Sequence, residues 1–174
     1  VLPLTAGAEH AVAATKTYLN TLAALALLAA EVGGRGDEVA AGLDWVAGMQ
    51  SSNGGWGAFD ADNSSHWLYK LPFCDFGYVI DPPSEDVSAH ALEALAPEPR
   101  YAASTARGLD YLLREQQWDG SWWGRWGVNH VYGTGAVLPA LEACGLERGH
   151  AALTRAVEWL DSVRGDGLTT KQMT

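Results

Sequence analysis

Apolar residues recur every three or four positions along most of the chain, which is the spacing of amphipathic α-helices. The pattern predicts a helix over residues 11–31 and four more helices, marked by Val39, Leu43, Val46 and Met49, by Val87, Leu92 and Leu95, by Leu109, Leu112 and Leu113, and by Leu153, Val157 and Leu160. Ser84 is placed to cap the third of these helices. Residues 133–144 are also expected to be helical, with a bend or delay at Pro139. Since no stretch alternates with period two, the sequence predicts an all-α fold.

A motif occurs twice, at a shift of 66 residues from Gln50 to Gln116. Each copy has a Gly, an aromatic residue three positions later, a Gln five positions after that, and a Gly-x-Trp step ending at Trp56 or Trp122. A third copy begins at Trp159 and then loses the pattern. The motif predicts a helix with its aromatic residue inward, a turn that returns a Trp over that helix, and a Gln that hydrogen-bonds the end of a neighbouring helix. The alternative is a chance likeness between two helix-to-glycine turns.

Composition and charge narrow the possible partners of this 174-residue chain, which has the 48% hydrophobic and 18% charged residues of a folded protein. Its net charge of −10 argues against nucleic acid as a partner, because phosphate binding needs clustered Lys and Arg. Cys74 and Cys144 are isolated, which favours free thiols in a reducing, cytoplasmic compartment. No apolar run reaches the ~20 residues that span a bilayer, so at most peripheral membrane contact is expected. The scattered His residues predict no metal site, and no cofactor is indicated.

Four segments carry a resemblance to a known family: "QSSNGGWGAFDADN", "DGSW", "LPFCDFGYVIDPPSEDVSAHALEAL" and "GSWWGRWGVNHVYGTGAVLPAL". The first two look like QW motifs, and with the other two they make residues 37–163 resemble the bacterial squalene–hopene cyclases of the terpene cyclase family. It implies a partial α/α toroid, a ring of α-hairpins fastened by Gln and Trp, of which about half is missing here. It also implies descent from an isomerase that polycyclises squalene to hopene or another polycycle. Protein prenyltransferases share this ring architecture, but they need a metal ion, for which the sequence predicts no site.

Cyclisation protonates an alkene and passes through carbocations, which aromatic faces stabilise without attacking them. By resemblance, the candidate catalytic residues are Asp86, His90 and Tyr132. The i, i+4 spacing of Asp86 and His90 would let the carboxylate hold the imidazolium behind the protonating acid. The substrate-binding wall implied by the resemblance consists of Phe59, Phe73, Cys74, Asp75, Phe76 and Trp126. Two alternatives stay open: Asp86 and His90 form a surface pair, and the aromatic residues are ordinary core packing.

The front of the chain departs from the family. The protonating acid of the family lies in a DxDDTA motif some thirty residues before the first clip Gln, where this chain has "AATKTYL" around Lys16. No Asp occurs in residues 1–36. Residues 5–30 instead resemble a helix of phosphosugar isomerase (SIS-type) domains, without the strand and phosphate loop of such a domain. A likeness between any two Ala/Leu-rich helices is the alternative explanation.

These observations divide the chain into residues 1–36, an N-terminal helix of uncertain origin, and residues 37–174, a partial terpene-cyclase α/α-barrel domain. We expect the chain by itself not to cyclise squalene, because the acid motif is absent. The competing hypothesis is a non-catalytic module that binds apolar ligands or proteins, including a second copy of itself. Sugar-phosphate binding through residues 5–30 is a third hypothesis.

Overall fold

The computed structural model describes residues 36–65 and 80–164. They form five α-helices: α1, Gly36–Gly48; α2, Glu85–Leu95; α3, Ala102–Glu115; α4, Asn129–Ala143; and α5, Ala151–Val163. A 3-10 helix, Pro99–Tyr101, precedes α3. Among the described residues, β-pairing is limited to the isolated bridges Gln50–Trp56 and Trp56–Ser84. The predicted all-α fold is therefore confirmed, while the helix predicted over residues 11–31 lies outside the described residues.

Helix α1 belongs to a compact unit that ends at Gly48, and a second compact unit begins at Met49. Asp37 and Glu38 lie in the first turn of α1, where the helix dipole favours negative charge. The aromatic residue predicted to face inward is buried in the second motif copy, at Tyr111, but half-exposed in the first, at Trp45. The domain boundary inferred after residue 36 stays a prediction.

In the second unit, α2 packs against both α3 and α4, and α4 packs against α5. The close approach of α3 to α2 depends on Gly108, since a Cβ there would lie 2.7 Å from the Trp56 ring and 2.8 Å from Leu92. The largest buried apolar side chains of this core are Ile80, Leu92, Leu95, Leu112, Trp122, Val137 and Leu141. Full burial of one such side chain contributes roughly 1.5–3 kcal/mol to the free energy of unfolding. These side chains therefore hold the helices together, and the ends of the connecting loops are held with them.

Two details differ from the sequence expectations. Ser84 occupies the position before α2 but its side chain makes no capping hydrogen bond; its hydroxyl donates to Asp86 Oδ1 at 2.7 Å. Helix α4 begins at Asn129 and continues through Pro139, so the expected delay is wrong. The carbonyl that loses its partner belongs to Gly135, an exposed residue, where water can replace the missing hydrogen bond.

Candidate functional site

The first motif copy folds as a clip between a glycine turn and the first turn of α3. Gln50 Nε2 donates to Gly54 O at 2.8 Å and to Ser104 O at 2.9 Å. Its Oε1 accepts a hydrogen bond from the Arg107 guanidinium, one helical turn further along α3. Trp56 is buried, and its backbone N–H donates to Ser88 Oγ on α2 at 2.9 Å. One amide side chain thus joins the turn to the neighbouring helix.

The second copy repeats this geometry at the start of α5. Gln116 Nε2 donates to Gly120 O at 2.9 Å and to Ala152 O at 2.8 Å, and its Oε1 accepts from the Arg155 guanidinium. Trp122 is fully buried, and its indole N–H donates to Leu112 O at 2.7 Å. The indole therefore lies back over the helix that precedes the turn, as the motif predicts.

Each turn needs its glycine for two reasons. Gly54 and Gly120 have φ angles of 95° and 97°, in the left-handed region that side chains disfavour. A Cβ at Gly54 would lie 2.5 Å from the Arg107 carbonyl oxygen, and one at Gly120 would lie 2.6 Å from that of Arg155. The backbone of α3 thus passes directly against the first turn, and that of α5 against the second.

Sequence reasoning missed the hydroxyl and guanidinium partners of the two clips. Ser88 Oγ and Thr134 Oγ1 accept from the backbone N–H groups of Trp56 and Trp122, at 2.9 and 3.0 Å. Both hydroxyl residues are fully buried, so the tryptophan amides they satisfy are removed from water. The partners in the two copies are not 66 residues apart, so the spacing of the repeat gave no signal for them.

Asp86 is a buried carboxylate on α2, 1% exposed. Its Oδ1 accepts from Ser84 Oγ at 2.7 Å and from Val87 N at 3.0 Å. Its Oδ2 accepts from the backbone N–H of Trp126 at 2.8 Å, across 40 residues of sequence. The alternative of a surface pair is therefore wrong, because this carboxylate anchors the loop between α3 and α4 to α2.

The predicted hold of Asp86 on His90 is also wrong. His90 Nδ1 lies 3.2 Å from Glu93 Oε2, one turn in the other direction along α2. Asp86 instead accepts hydrogen bonds from Ser84, Val87 and Trp126.

Trp126 brings two candidate wall residues together. Its ring meets that of Phe59 edge to face, with centroids 5.6 Å apart and planes at 86°. The Arg125 guanidinium lies 5.8 Å from the Trp126 ring centroid. The Trp126 indole nitrogen is buried without a hydrogen-bond partner among the described residues. Phe59 itself is 65% exposed, so it presents its ring to the surroundings of the described unit and is not core packing.

Tyr132, on the first turn of α4, lies against the same loop. A Cβ at Gly124 or Gly127 would collide with its ring, so both glycines make room for the phenol. Burial raises the pKa of the Tyr132 hydroxyl, and the negative charge of Asp86 raises it further. The hydroxyl is therefore kept protonated and able to donate a hydrogen bond. The structure thus groups Asp86, Trp126 and Tyr132.

Two acidic residues near the candidate site were not singled out from the sequence. Asp81 is buried, and its Oδ2 accepts from the backbone N–H groups of Phe59 and Asp60, which fixes the turn that carries Phe59. Glu85 is 8% exposed. Burial raises its pKa to about 7, with smaller contributions from the charges of Glu115 and Asp86.

The other candidate wall residues lie outside the described residues: Phe73, Cys74, Asp75 and Phe76. Within residues 36–65 and 80–164, no three His, Cys, Asp or Glu side chains are grouped to hold a metal ion. None of the helices described here has the length and apolar character needed to cross a bilayer.

Comparison with known proteins identifies the family. A family model described as the squalene–hopene cyclase C-terminal domain matches residues 13–168. The squalene–hopene cyclase of Alicyclobacillus acidocaldarius is 55% identical over 116 residues, 64% of this chain and 18% of that protein. The squalene–hopene cyclase of Zymomonas mobilis is 46% identical over 130 residues, 71% of this chain and 19% of that protein. The dammaradiene synthase of Dryopteris crassirhizoma is 39% identical over 133 residues, 70% of this chain and 19% of that protein.

The chain thus spans about a fifth of the length of these relatives. The match covers both Gln–Trp clips and the group formed by Asp86, Trp126 and Tyr132. The chain belongs to the squalene–hopene cyclase C-terminal domain family.

Proposed function

We propose that this chain forms part of the wall of a triterpene cyclisation site, in which squalene or a similar triterpene is polycyclised after protonation. The hydrogen bond from Trp126 N to Asp86 Oδ2 is the observation that carries the proposal, because it fastens the aromatic loop to the helix that bears His90. Two of the relatives are named squalene–hopene cyclases and a third is named a dammaradiene synthase, which supports a triterpene as the substrate class.

The chemistry of the grouped residues suits this role. Carbocations are stabilised by the negative faces of aromatic rings such as those of Trp and Phe. Phe59 and Trp126 supply such rings, and Tyr132 supplies a hydroxyl that stays protonated. Asp86 acts here by holding the loop in place, so its contribution is to position the aromatic wall.

We further propose that the 174-residue chain alone binds squalene but does not cyclise it. Protonating an alkene demands an acid far stronger than an ordinary carboxylic acid, and the sequence contains no DxDDTA motif. Phe73, Cys74, Asp75 and Phe76 would complete the wall on the segment between the described ranges.

Purified chain can be incubated with isotope-labelled squalene in detergent micelles, with bound ligand and cyclised products measured separately. We expect saturable binding without polycyclic product, and weaker binding after Trp126→Leu. Trp118→Ala is the matched control, because Trp118 is 91% exposed and lies outside the group. Polycyclic product would contradict the proposed inactivity. Equal loss of binding in both variants, or no saturable binding, would contradict the wall assignment.

A non-catalytic module for apolar ligands or proteins is the second candidate, favoured by the exposed apolar side chains of Phe59, Val128 and Val131. Apolar side chains left in water favour association when they form a patch. This candidate predicts concentration-dependent dimers in sedimentation velocity and no preference for squalene over a linear alkane. Peripheral membrane contact would appear as co-sedimentation with vesicles.

A further inference from the structure

Helix α2 offers His90 two acidic neighbours, and the structure separates their roles. Asp86, four residues before, has both oxygens engaged by other donors. Glu93, three residues after, places Oε2 at 3.2 Å from His90 Nδ1. The spacing of three residues puts both side chains on one face of the helix.

A carboxylate only accepts hydrogen bonds, so the nitrogen that faces it must carry the proton. We propose that Glu93 is a positioning residue that holds His90 in its Nδ1–H tautomer and fixes the orientation of the imidazole ring. In the neutral ring, Nε2 is then an acceptor; in the protonated ring, Nε2–H is a donor. Proton exchange at His90 is therefore directed through Nε2, the nitrogen that has no partner among the described residues.

The same arrangement of an imidazole with a carboxylate on one nitrogen and chemistry on the other recurs in enzymes that move protons. The role of Glu93 in a reaction rests on the proposed function, whereas the tautomer does not. The side chains of His90 and Glu93 are 32% and 37% exposed, so their contact contributes little to the stability of the fold. Replacing Glu93 should therefore alter the tautomer of His90 without altering the free energy of unfolding.

A second histidine, His150, is expected to have the opposite tautomer and serves as an internal reference. His150 Nδ1 accepts from the backbone N–H of Ala152 at 3.2 Å, so its proton lies on Nε2 when the ring is neutral. Long-range ¹H–¹⁵N correlation spectra distinguish the two tautomers in one sample. The spectra are recorded at a pH above which the histidine resonances no longer change, so that both rings are observed in their neutral form.

We expect His90 to be mainly Nδ1–H and His150 mainly Nε2–H in the unaltered chain. Glu93→Ala should reverse the majority tautomer of His90, while Glu93→Gln, which keeps an acceptor oxygen, should retain part of the Nδ1–H population. Glu98→Ala is the matched control, since it removes an exposed carboxylate beyond the end of α2. An unchanged His150 signal in each variant shows that the fold is retained.

A majority of Nε2–H at His90 in the unaltered chain would overturn the inference, and so would an Nδ1–H population unaffected by Glu93→Ala. Neither result would affect the binding of squalene. Conversely, failure to bind squalene would leave the tautomer result unchanged, so the two proposals are tested separately.

Discussion

Replacing Gln116 by alanine removes the side chain that makes three hydrogen bonds in the second clip. The two neutral bonds, to Gly120 O and Ala152 O, are each worth about 1 kcal/mol net. The bond from Arg155 is exposed and adds little. Gln116 lies just beyond the end of α3, so helix propensity is not altered. The free energy of unfolding should fall by about 2 kcal/mol, which lowers Tm by roughly 7 °C for a domain of this size.

The neighbouring Gln117 provides the matched control. Its side chain is exposed, and its backbone N–H and C=O remain available to the turn after replacement by alanine. Gln117→Ala should therefore change the unfolding free energy by less than about 0.5 kcal/mol. Urea and thermal unfolding followed by circular dichroism measure both variants. Equal stability of the two variants would refute the argument that Gln116 fastens the turn to α5.

Further predictions concern single positions in the same unit. Glu85 has a folded-state pKa raised from 4.5 to about 7, so its contribution to stability is complete below pH 4.5 and is lost as the pH rises through 7. Glu85→Gln should flatten this decline, measured by urea unfolding between pH 4.5 and 8, and an unchanged slope would contradict the assignment. Gly120→Ala should destabilise the fold by more than about 2 kcal/mol, because it combines a strained φ with a clash against Arg155 O. Gly135→Ala, on the open face of α4, should instead stabilise it by about 0.5–1 kcal/mol, and the same sign for both in thermal unfolding would contradict the account.

The helices and clips could be predicted because their causes lie close together in sequence. Gln50 and Gln116 each lie four residues before a glycine that the turn requires, and six before a buried tryptophan. The same local pattern occurs twice, so comparing the sequence with itself at an offset of 66 residues reveals both turns.

The partners of these motifs could not be predicted in the same way. The carbonyl that Gln50 holds is 54 residues away, whereas the one that Gln116 holds is 36 residues away. A repeat search cannot register partners whose separations differ. The contact between Asp86 and Trp126 uses a backbone N–H, which leaves no trace in residue type.

The partner of His90 illustrates a further reason. Helical spacing permits an acidic residue either three or four positions away, and both occur here, at Glu93 and Asp86. In the structure Asp86 accepts from Ser84 and Trp126, and His90 pairs with Glu93. Only the tertiary structure shows which of the two neighbours forms the pair.

The central claim is that the two Gln–Trp motifs are clips that join a turn to the first turn of another helix. The most direct test is a ¹⁵N-edited NOE spectrum of the side-chain amide protons of glutamine. The account predicts cross-peaks from the side-chain amide of Gln50 to Ser104 and from that of Gln116 to Ala152. It predicts no cross-peak from the side-chain amide of Gln117 to Ser104 or Ala152. Amide protons of Gln50 and Gln116 that show contacts only within their own turns would contradict it.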